Sequence, residues 1–212
     1  MMATIDFHMD KSFFVSKFQN FCSAEAEKRT SVMLSDFQRK HFDRYYANPF
    51  PLRKSAVMIL LFAKEDRLNT IMIERTDFGK HAGQISFPGG KSEPSDTDSI
   101  ETAIRETMEE IGIELQRDNI VGTLPPVKVP VSGFEIFPVV AFSDKVGNFT
   151  LSENEVRKIL EVDLIELRNT FGNKVVTVEN KQYKAPGYTC GKSVVWGATA
   201  MITAELFYVL GC

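Results

Sequence analysis

A run of charged residues between Arg105 and Ile113 has the types and the spacing that metal chemistry needs; it reads Arg-Glu-Thr-Met-Glu-Glu-Ile-Gly-Ile. On a helix, residues three and four apart are neighbours, so we expect Glu106 to lie beside both Glu109 and Glu110 on one exposed edge. Each pair of carboxylates repels by roughly 3 kcal/mol at ~5 Å and an effective dielectric of ~20, unless a cation lies between them. Hard oxygen ligands at this spacing suit Mg²⁺ or Mn²⁺, which bind through few carboxylates together with substrate phosphates.

An acidic cluster on a helix can also be a solvated face, but the flanking residues favour a site. Gly89 and Gly90 precede the helix by a short polar loop, and glycine allows backbone amides to approach an anion closely. Arg105 stands four residues from both Glu101 and Glu109, so salt bridges to them could orient the ligands.

The same stretch resembles the signature of the Nudix hydrolase family, which is a glycine, a spacer, a glutamate, and then Arg-Glu-apolar-x-Glu-Glu-x-Gly-apolar. Two positions depart from it: Thr107 replaces the apolar residue, and Thr97 stands where the earlier glutamate falls when counted back from Arg105. The spacer that separates Gly90 from Arg105 is one residue longer than usual. The matching positions are Gly90, Arg105, Glu106, Glu109, Glu110, Gly112 and Ile113.

The longer spacer also resembles a subgroup of coenzyme A pyrophosphatases, whose upstream segment ends in Phe-Pro-Gly-Gly. Arg75-Thr76 and the run from His81 to Gly90 are similar to that segment, although only Gly79 and Lys80 stand where the subgroup has an arginine. The resemblance extends from about Ser55 to Leu210. Further similar stretches are Leu124-Pro125-Pro126-Val127, Ser132-Gly133-Phe134, Pro138-Val139-Val140 and Val195 to Ala200.

The resemblance implies an α/β fold in which a mixed β-sheet is sandwiched between α-helices. It implies a Nudix domain over residues 51–212, with an N-terminal helical extension over residues 1–50 packed on it. The implied activity is hydrolysis of a pyrophosphate bond in a nucleoside diphosphate-linked substrate, with coenzyme A or its thioesters favoured. Another Nudix activity, on ADP-ribose or a dinucleotide, and a non-catalytic ligand sensor are the alternatives. The three retained glutamates argue against the sensor.

The resemblance also implies roles for single residues. Glu106, Glu109 and Glu110 would hold Mg²⁺ or Mn²⁺, and Glu106, Glu109 and Arg105 would be catalytic. Arg75 could hold a phosphate as a bidentate fork or could be a surface arginine at a strand end. We expect a structural or substrate-contact role for His81 and core positions for Phe134 and Trp196. The predicted substrate-binding residues are Arg75, His81, Gly89 and Gly90.

A further acid from another loop could act as the general base or complete the metal site. Glu135, Glu153 and Glu155 are candidates, and resemblance to the family's acidic loop favours Glu155. Ser152 and Glu155 also have the spacing of a capping box, in which Glu155 would bond back to the Ser152 amide. Both roles of Glu155 stay open at this point.

Periodicity and turn residues predict the elements that position these side chains. A helix from about Asp10 to Lys28 carries a stripe of phenylalanines, Phe13, Phe14, Phe18 and Phe21, and we expect it to dock on its own domain. The other predicted elements are a hairpin of strands Ser55–Ala63 and Thr70–Glu74 with a turn over residues 65–69, strands at 120–124, 136–142 and 175–178, a helix Ser99–Ile111 closed by Gly112, and helices at 153–159 and 197–210.

The composition is that of an ordinary globular protein: 212 residues, a net charge of −3, and no long basic block. It argues against a nucleic-acid polymer as partner and leaves a small phosphorylated molecule, while a homodimer stays open. The three cysteines are too far apart for a zinc site. With no secretory segment and no long apolar run, the predicted location is the cytoplasm, away from membranes.

Overall fold

The N-terminal helix is shorter than the sequence pattern predicts. The computed structural model of the chain describes residues 10–21, 26, 29, 32–34, 51–76, 83–129, 132–178 and 181–211. Helix α1 spans Lys11–Gln19 and begins where the side chain of Asp10 accepts a hydrogen bond from the amide of Phe13 at 2.9 Å. It ends at Gln19 rather than continuing to Lys28, because Asn20 leaves the helical conformation and its side-chain amide donates to the carbonyl of Ser16 at 2.8 Å.

The strands form one mixed sheet and one smaller antiparallel sheet. The mixed sheet contains β1 (Arg53–Lys64), β2 (Arg67–Arg75), β3 (Ile85–Ser86), β4 (Gly89–Lys91), β5 (Ile120–Thr123), β6 (Val127–Val129), β7 (Phe134–Phe142) and β8 (Val156–Asp163). The smaller sheet contains β9 (Gly172–Val178), β10 (Lys181–Cys190) and β11 (Ser193–Trp196). Further helices with described bounds are α2 (Ser99–Ile111), α3 (Leu164–Asn169) and α4 (Gly197–Leu210), with a 3₁₀ turn at Arg117–Asn119.

The centre of the mixed sheet is β1, which pairs in parallel with β7 and in antiparallel with β2. The hairpin turn is only Glu65-Asp66, and both residues have positive φ, at 51° and 58°. This is the conformation that matches the twist of the flanking strands, so the turn is shorter than predicted. Beyond the turn β1 and β2 separate, and β3 and β4 fill the gap, since β3 pairs with β2 and β4 pairs with β1.

Side chains alternate across the sheet and divide the core between its two faces. On one face, Met58 and Ile73 pack in a cluster with Ala103 and Ile111 of α2. On the other face, Ile59 and its neighbours pack against α1, α3, α4 and the smaller sheet. The mixed sheet therefore lies between helices, and the predicted fold class is confirmed.

Helix α2 has the bounds that the sequence predicts, because both of its ends are capped. The side chain of Asp98 accepts from the amide of Glu101 at 3.0 Å, and Gly112 ends the helix in the left-handed conformation with φ 71°. Beyond Gly112, the amides of Thr150 and Ser152 donate to carbonyls of the last helical turn at 2.9 and 3.0 Å. The loop that leads to β8 is thus tied to the end of α2.

The helix predicted for residues 153–159 is wrong. Residues 153–155 form a turn, and Val156 begins strand β8, which pairs with β2 from Asn69↔Asp163 to Arg75↔Val156. This segment forms a strand because its backbone hydrogen bonds satisfy the amide and carbonyl groups on the edge of β2 that β1 and β3 leave unpaired. The predicted capping box is also absent: the amide of Ser152 donates to the carbonyl of Glu110, and the amide of Glu155 donates to the carbonyl of Ser152.

Helix α4 closes the fold as predicted, and its buried residues are apolar except for Thr203 and Glu205. The Glu205 carboxylate is buried and pairs with the guanidinium of Arg29 at 2.5 Å. Within the described ranges, no helix combines the length and the apolar character needed to cross a membrane.

Candidate active site

Helix α2 and the turn before β8 carry the carboxylates of the candidate site. Glu106 and Glu110 lie on the helix, and Glu155 lies in the turn before β8. Burial raises the pKa of Glu106, and the charges of Glu109 and Glu155 raise it further, against the opposing effect of Arg105. Of the three candidate acids outside α2, which are Glu135, Glu153 and Glu155, Glu155 is the one whose charge raises the pKa of both helix carboxyls.

Glu110 is buried, with 1 % of its side chain exposed, and does not lie on an exposed helix edge as its spacing suggested. One carboxylate oxygen accepts from the amide of Gly89 at 2.8 Å, and the other lies 3.5 Å from a guanidinium nitrogen of Arg75. Burial raises the pKa of Glu110 to about 7, the Gly89 amide and Arg75 act against this rise, and the charges of Glu106 and Glu155 add to it. This carboxyl therefore lies in a setting that disfavours negative charge.

The glycine pair before α2 makes room for both carboxylates. Gly89 has φ +148°, and a Cβ there would collide with the backbone of Ala56 and Val57. A Cβ on Gly90 would come within 2.5 Å of the Glu106 carboxylate. The amide of Gly89, which we expected to contact a substrate anion, is engaged by the buried carboxylate of Glu110. Substrate contact by either glycine stays a prediction.

Arg105 orients two of the predicted metal ligands. One of its terminal nitrogens lies 3.0 Å from Glu106 and 3.0 Å from Glu109, and the other donates to the carbonyl of Lys91 at 2.9 Å. Glu101, the other predicted partner, does not pair with Arg105. It accepts from the amide of Thr97 at 2.8 Å and lies 3.5 Å from Arg117.

Asp96, which was not among the predicted site residues, makes the most hydrogen bonds to Arg105. Its side chain is 5 % exposed and accepts two bonds from Arg105, both at 3.0 Å, together with bonds from the Thr102 hydroxyl and the Glu93 amide at 2.9 Å each. The bonds from Arg105 hold the pKa of this carboxyl well below its usual range. The signal was present in the sequence: the extra spacer residue moves the acid from Thr97, counted back from Arg105, to Asp96, counted forward from Gly90.

Arg75 lies at the end of β2, where the pairing with β8 shifts register between Glu74 and Arg75. Such a bulge redirects the side chain that follows it, and here the guanidinium lies beside Glu110 with about a third of its surface exposed. The structure therefore places Arg75 beside Glu110, and its phosphate-binding role stays a prediction. His81 lies outside the described residues.

The three signature glutamates are held apart by protein partners. Glu109 is half-exposed and turned to Arg105, while Glu110 is turned to Gly89 and Arg75. Accordingly, no group of three His, Cys, Asp or Glu side chains stands as a ready metal cluster in the part of the chain that the structure describes. The donor set still fits a hard divalent cation, because carboxylate oxygens of Glu106 and Glu110 lie in a setting where added positive charge is favourable.

The NUDIX domain model matches residues 52–180, a range that contains the glycine pair, the whole of α2 and Glu155. The chain belongs to the Nudix family. As a Nudix hydrolase it is an enzyme of the class that acts on phosphorus-containing anhydrides, and its substrate is a small molecule.

Relatives of this Nudix hydrolase are similar over most of the domain. It is 33 % identical over 156 residues to the uncharacterized Nudix hydrolase NudL of Pectobacterium atrosepticum, covering 73 % of this chain and 81 % of that protein. It is 37 % identical over 130 residues to the mitochondrial coenzyme A diphosphatase NUDT8 of Mus musculus, covering 59 % of this chain and 61 % of that protein. A MutT/nudix family protein from Enterococcus faecalis shares the fold, with a TM-score of 0.56 at 16 % identity over 91 % of this chain and 76 % of that one.

Proposed function

We propose that this Nudix hydrolase cleaves the pyrophosphate of coenzyme A or its thioesters to 4′-phosphopantetheine and adenosine 3′,5′-bisphosphate. The observation that carries the hydrolytic site is the set of contacts around α2: Arg105 holds Glu106 and Glu109, and Glu110 pairs with the Gly89 amide and with Arg75. The coenzyme A diphosphatases of mouse and human, 37 % and 35 % identical over 130 residues each, support the choice of substrate. So does the segment that ends in Phe-Pro-Gly-Gly, because it resembles the corresponding segment of the coenzyme A pyrophosphatase subgroup.

The proposed metal ligands are Glu106, Glu109 and Glu110, with Mg²⁺ or Mn²⁺ as the ion and substrate phosphate oxygens as the remaining ligands. When bound, the ion would neutralise the phosphate oxygens and make the attacking water more acidic. Arg105 holds Glu106 and Glu109 in place for this role, and Asp96 holds Arg105. Glu109 is the ligand with the most freedom to turn, because 56 % of its side chain is exposed.

Two further residues of the chain bind the substrate phosphate and accept the proton from the attacking water. The Arg75 guanidinium binds a phosphate oxygen, as a planar fork of donors suits. Glu155 accepts a proton from the water whose oxygen attacks phosphorus. The bond from that phosphorus to the bridging oxygen breaks, and the bridging oxygen leaves with the other phosphate. Glu155 is exposed, so water reaches it from solvent.

A substrate panel tests the proposal. We expect kcat/KM for coenzyme A to exceed that for dephospho-coenzyme A, ADP-ribose and a diadenosine polyphosphate, each measured with Mg²⁺ and with Mn²⁺. Dephospho-coenzyme A lacks the 3′-phosphate, and each lost charged hydrogen bond weakens binding by roughly 1.5–3 kcal/mol. Arg75 and Arg53 are the described candidates to meet that phosphate; Arg39, Lys40 and Lys80 lie outside the described residues. A clearly higher kcat/KM for ADP-ribose or the diadenosine compound would overturn the choice of coenzyme A.

A further inference from the structure

The turn that carries Glu155 is held at its upstream end by helix α2. The amide of Thr150 donates to the carbonyl of Ile111 at 2.9 Å, and the amide of Ser152 donates to the carbonyl of Glu110 at 3.0 Å. Carbonyls in the last turn of a helix have no partner within the helix, so these bonds satisfy groups that would otherwise need water. The upstream end of the turn therefore moves with the helix that carries Glu106 and Glu110.

At its downstream end the turn is held by Thr76, the residue that follows Arg75 at the end of β2. The amide of Thr76 donates to the carbonyl of Glu155 at 3.1 Å, and its hydroxyl donates to the carbonyl of Asn154 at 3.1 Å. The carbonyl of Thr76 in turn accepts from the amide of Gly83 at 3.3 Å. Thr76 thus joins the Arg75 strand, the Glu155 turn and the chain that leads to the glycine pair.

These bonds fix both peptide groups that flank Glu155. The peptide between Asn154 and Glu155 is held at its oxygen by the Thr76 hydroxyl and at its nitrogen by the carbonyl of Ser152, which accepts from Glu155 at 2.9 Å. The peptide that follows Glu155 is held at its oxygen by the Thr76 amide. With both peptide planes fixed, the backbone dihedral angles of Glu155 are fixed, and so is the direction in which its side chain leaves the chain.

We propose that Thr76 is a positioning residue for Glu155. By donating to the backbone carbonyl of Asn154, its hydroxyl sets the direction in which the Glu155 side chain leaves the backbone. This inference rests on the catalytic role proposed for Glu155. A proton acceptor must lie within hydrogen-bond reach of the attacking water, and small misplacement lowers the rate steeply. The contact is therefore expected to act on kcat, whereas a hydroxyl that only stabilises the fold would act on the melting temperature alone.

The test compares Thr76→Val, which keeps the side-chain shape and removes the hydroxyl, with Thr76→Ser, which keeps the hydroxyl. Thr203→Val is the matched control, because the Thr203 hydroxyl also donates to one backbone carbonyl, that of Thr199 at 2.8 Å, on the opposite face of the sheet. We expect Thr76→Val to lower kcat about threefold to tenfold, as loss of one hydrogen bond does, with KM within about twofold. Thr76→Ser and Thr203→Val should keep the wild-type kcat. If Thr76→Val does not fold, Thr76→Ala replaces it.

A double-mutant cycle with Glu155→Gln separates this inference from the proposed function. If Thr76 acts through Glu155, Thr76→Val should lower kcat by less than about twofold in the Glu155→Gln background, although it lowers kcat in the wild type. An equal loss in both backgrounds, or wild-type kcat in Thr76→Val, would overturn the role of Thr76 while leaving that of Glu155 intact. Wild-type kcat in Glu155→Gln would overturn the proposed base, and the role of Thr76 with it.

Discussion

A side chain at Gly89 would collide with backbone atoms, whereas one at Gly90 would collide with the Glu106 side chain, so substitutions at the two glycines should have different measurable effects. A Cβ on Gly90 meets the far end of the Glu106 side chain at 2.5 Å, which can turn away. A Cβ on Gly89 meets backbone, at a φ of +148° that other residues rarely adopt. We expect Gly90→Ala to lower kcat at least about tenfold with little change in Tm, because it displaces Glu106. Gly89→Ala should lower the free energy of unfolding by more than about 2 kcal/mol.

Thermal unfolding and steady-state kinetics on both glycine variants check this prediction. Gly133→Ala controls for backbone strain, because Gly133 has φ +74° but nothing within 4 Å of a Cβ placed there. A Gly89→Ala protein as stable as wild type would contradict the account of the pair, as would a Gly90→Ala protein with full turnover.

Glu155 has lost its competing structural role, because the Ser152 amide that a capping box would use donates to the carbonyl of Glu110. We therefore expect Glu155→Gln to lower kcat by about 10²–10⁴ and to leave Tm unchanged. Glu153→Gln, an exposed carboxylate in the same turn, is the matched control and should keep full activity. A lower Tm with an unchanged kcat would return Glu155 to a structural role.

For single residues, the sequence correctly placed Glu106, Glu109 and Glu110 on one helix and missed how their carboxylates are held. The spacing of Glu106, Glu109 and Glu110 on a helix follows from the helical period, which local sequence determines. The burial of Glu110 depends on where the Gly89 strand enters the sheet, and no local pattern contains that information. Asp96 was missed for a different reason, since the extra residue in the spacer allowed two alignments.

Among the elements, the loop between β4 and α2 is stabilised by the ion pair of Asp96 with Arg105. The pKa of Asp96 is lowered in the folded chain, so the pair adds stability above the unfolded value of about 3.9, and that stability is lost as pH falls toward the folded value. We expect Asp96→Asn to lower the free energy of unfolding by about 2–3 kcal/mol at pH 7, because Arg105 is left without its buried partner.

The pH dependence of unfolding by denaturant checks the role of this loop. The difference in free energy of unfolding between wild type and Asp96→Asn should have its full value at pH 5 to 7 and should decrease below about pH 4. Asp144→Asn, at an exposed aspartate, is the control. A difference in free energy of unfolding that stays constant down to pH 2, or no difference at pH 7, would contradict the stabilising role of the Asp96–Arg105 ion pair.

The elements differ in how far local sequence determines them. Helix α2 was predicted with its observed bounds because Asp98 and Gly112 cap it at either end. The segment that contains β8 was predicted as a helix over residues 153–159, with a possible capping box at Ser152 and Glu155. It becomes a strand because β2 offers it an unpaired edge, and that edge is fixed by residues far away in the chain.

In the protein as a whole, helix α1 contributes a buried side chain to the hydrophobic core. Phe14 is fully buried and stacks on Phe142 of β7 with ring centroids 5.0 Å apart. We expect Phe14→Ala to lower the free energy of unfolding by about 3–5 kcal/mol and to leave kcat of the folded enzyme unchanged, because α1 and α2 lie on opposite faces of the sheet.

Phe171→Ala, at a phenylalanine that is 55 % exposed, should cost far less and serves as the control for Phe14→Ala. Equal losses in the two variants would contradict the packing of α1 on the domain. The predicted boundary between an extension over residues 1–50 and a domain over residues 51–212 stays a prediction, since most of residues 22–50 lie outside the described ranges.

We propose that Glu106 and its neighbours on α2 make this chain a metal-dependent pyrophosphohydrolase of coenzyme A. The most direct test is to incubate coenzyme A with Mg²⁺ or Mn²⁺ and wild type or Glu106→Gln, and to identify the products by chromatography and mass spectrometry. We expect equal amounts of 4′-phosphopantetheine and adenosine 3′,5′-bisphosphate from wild type, and a rate lower by about 10² or more for the folded Glu106→Gln enzyme. In excess EDTA we expect no products. Full turnover by Glu106→Gln or in EDTA, or intact coenzyme A after incubation with wild type and metal, would contradict it.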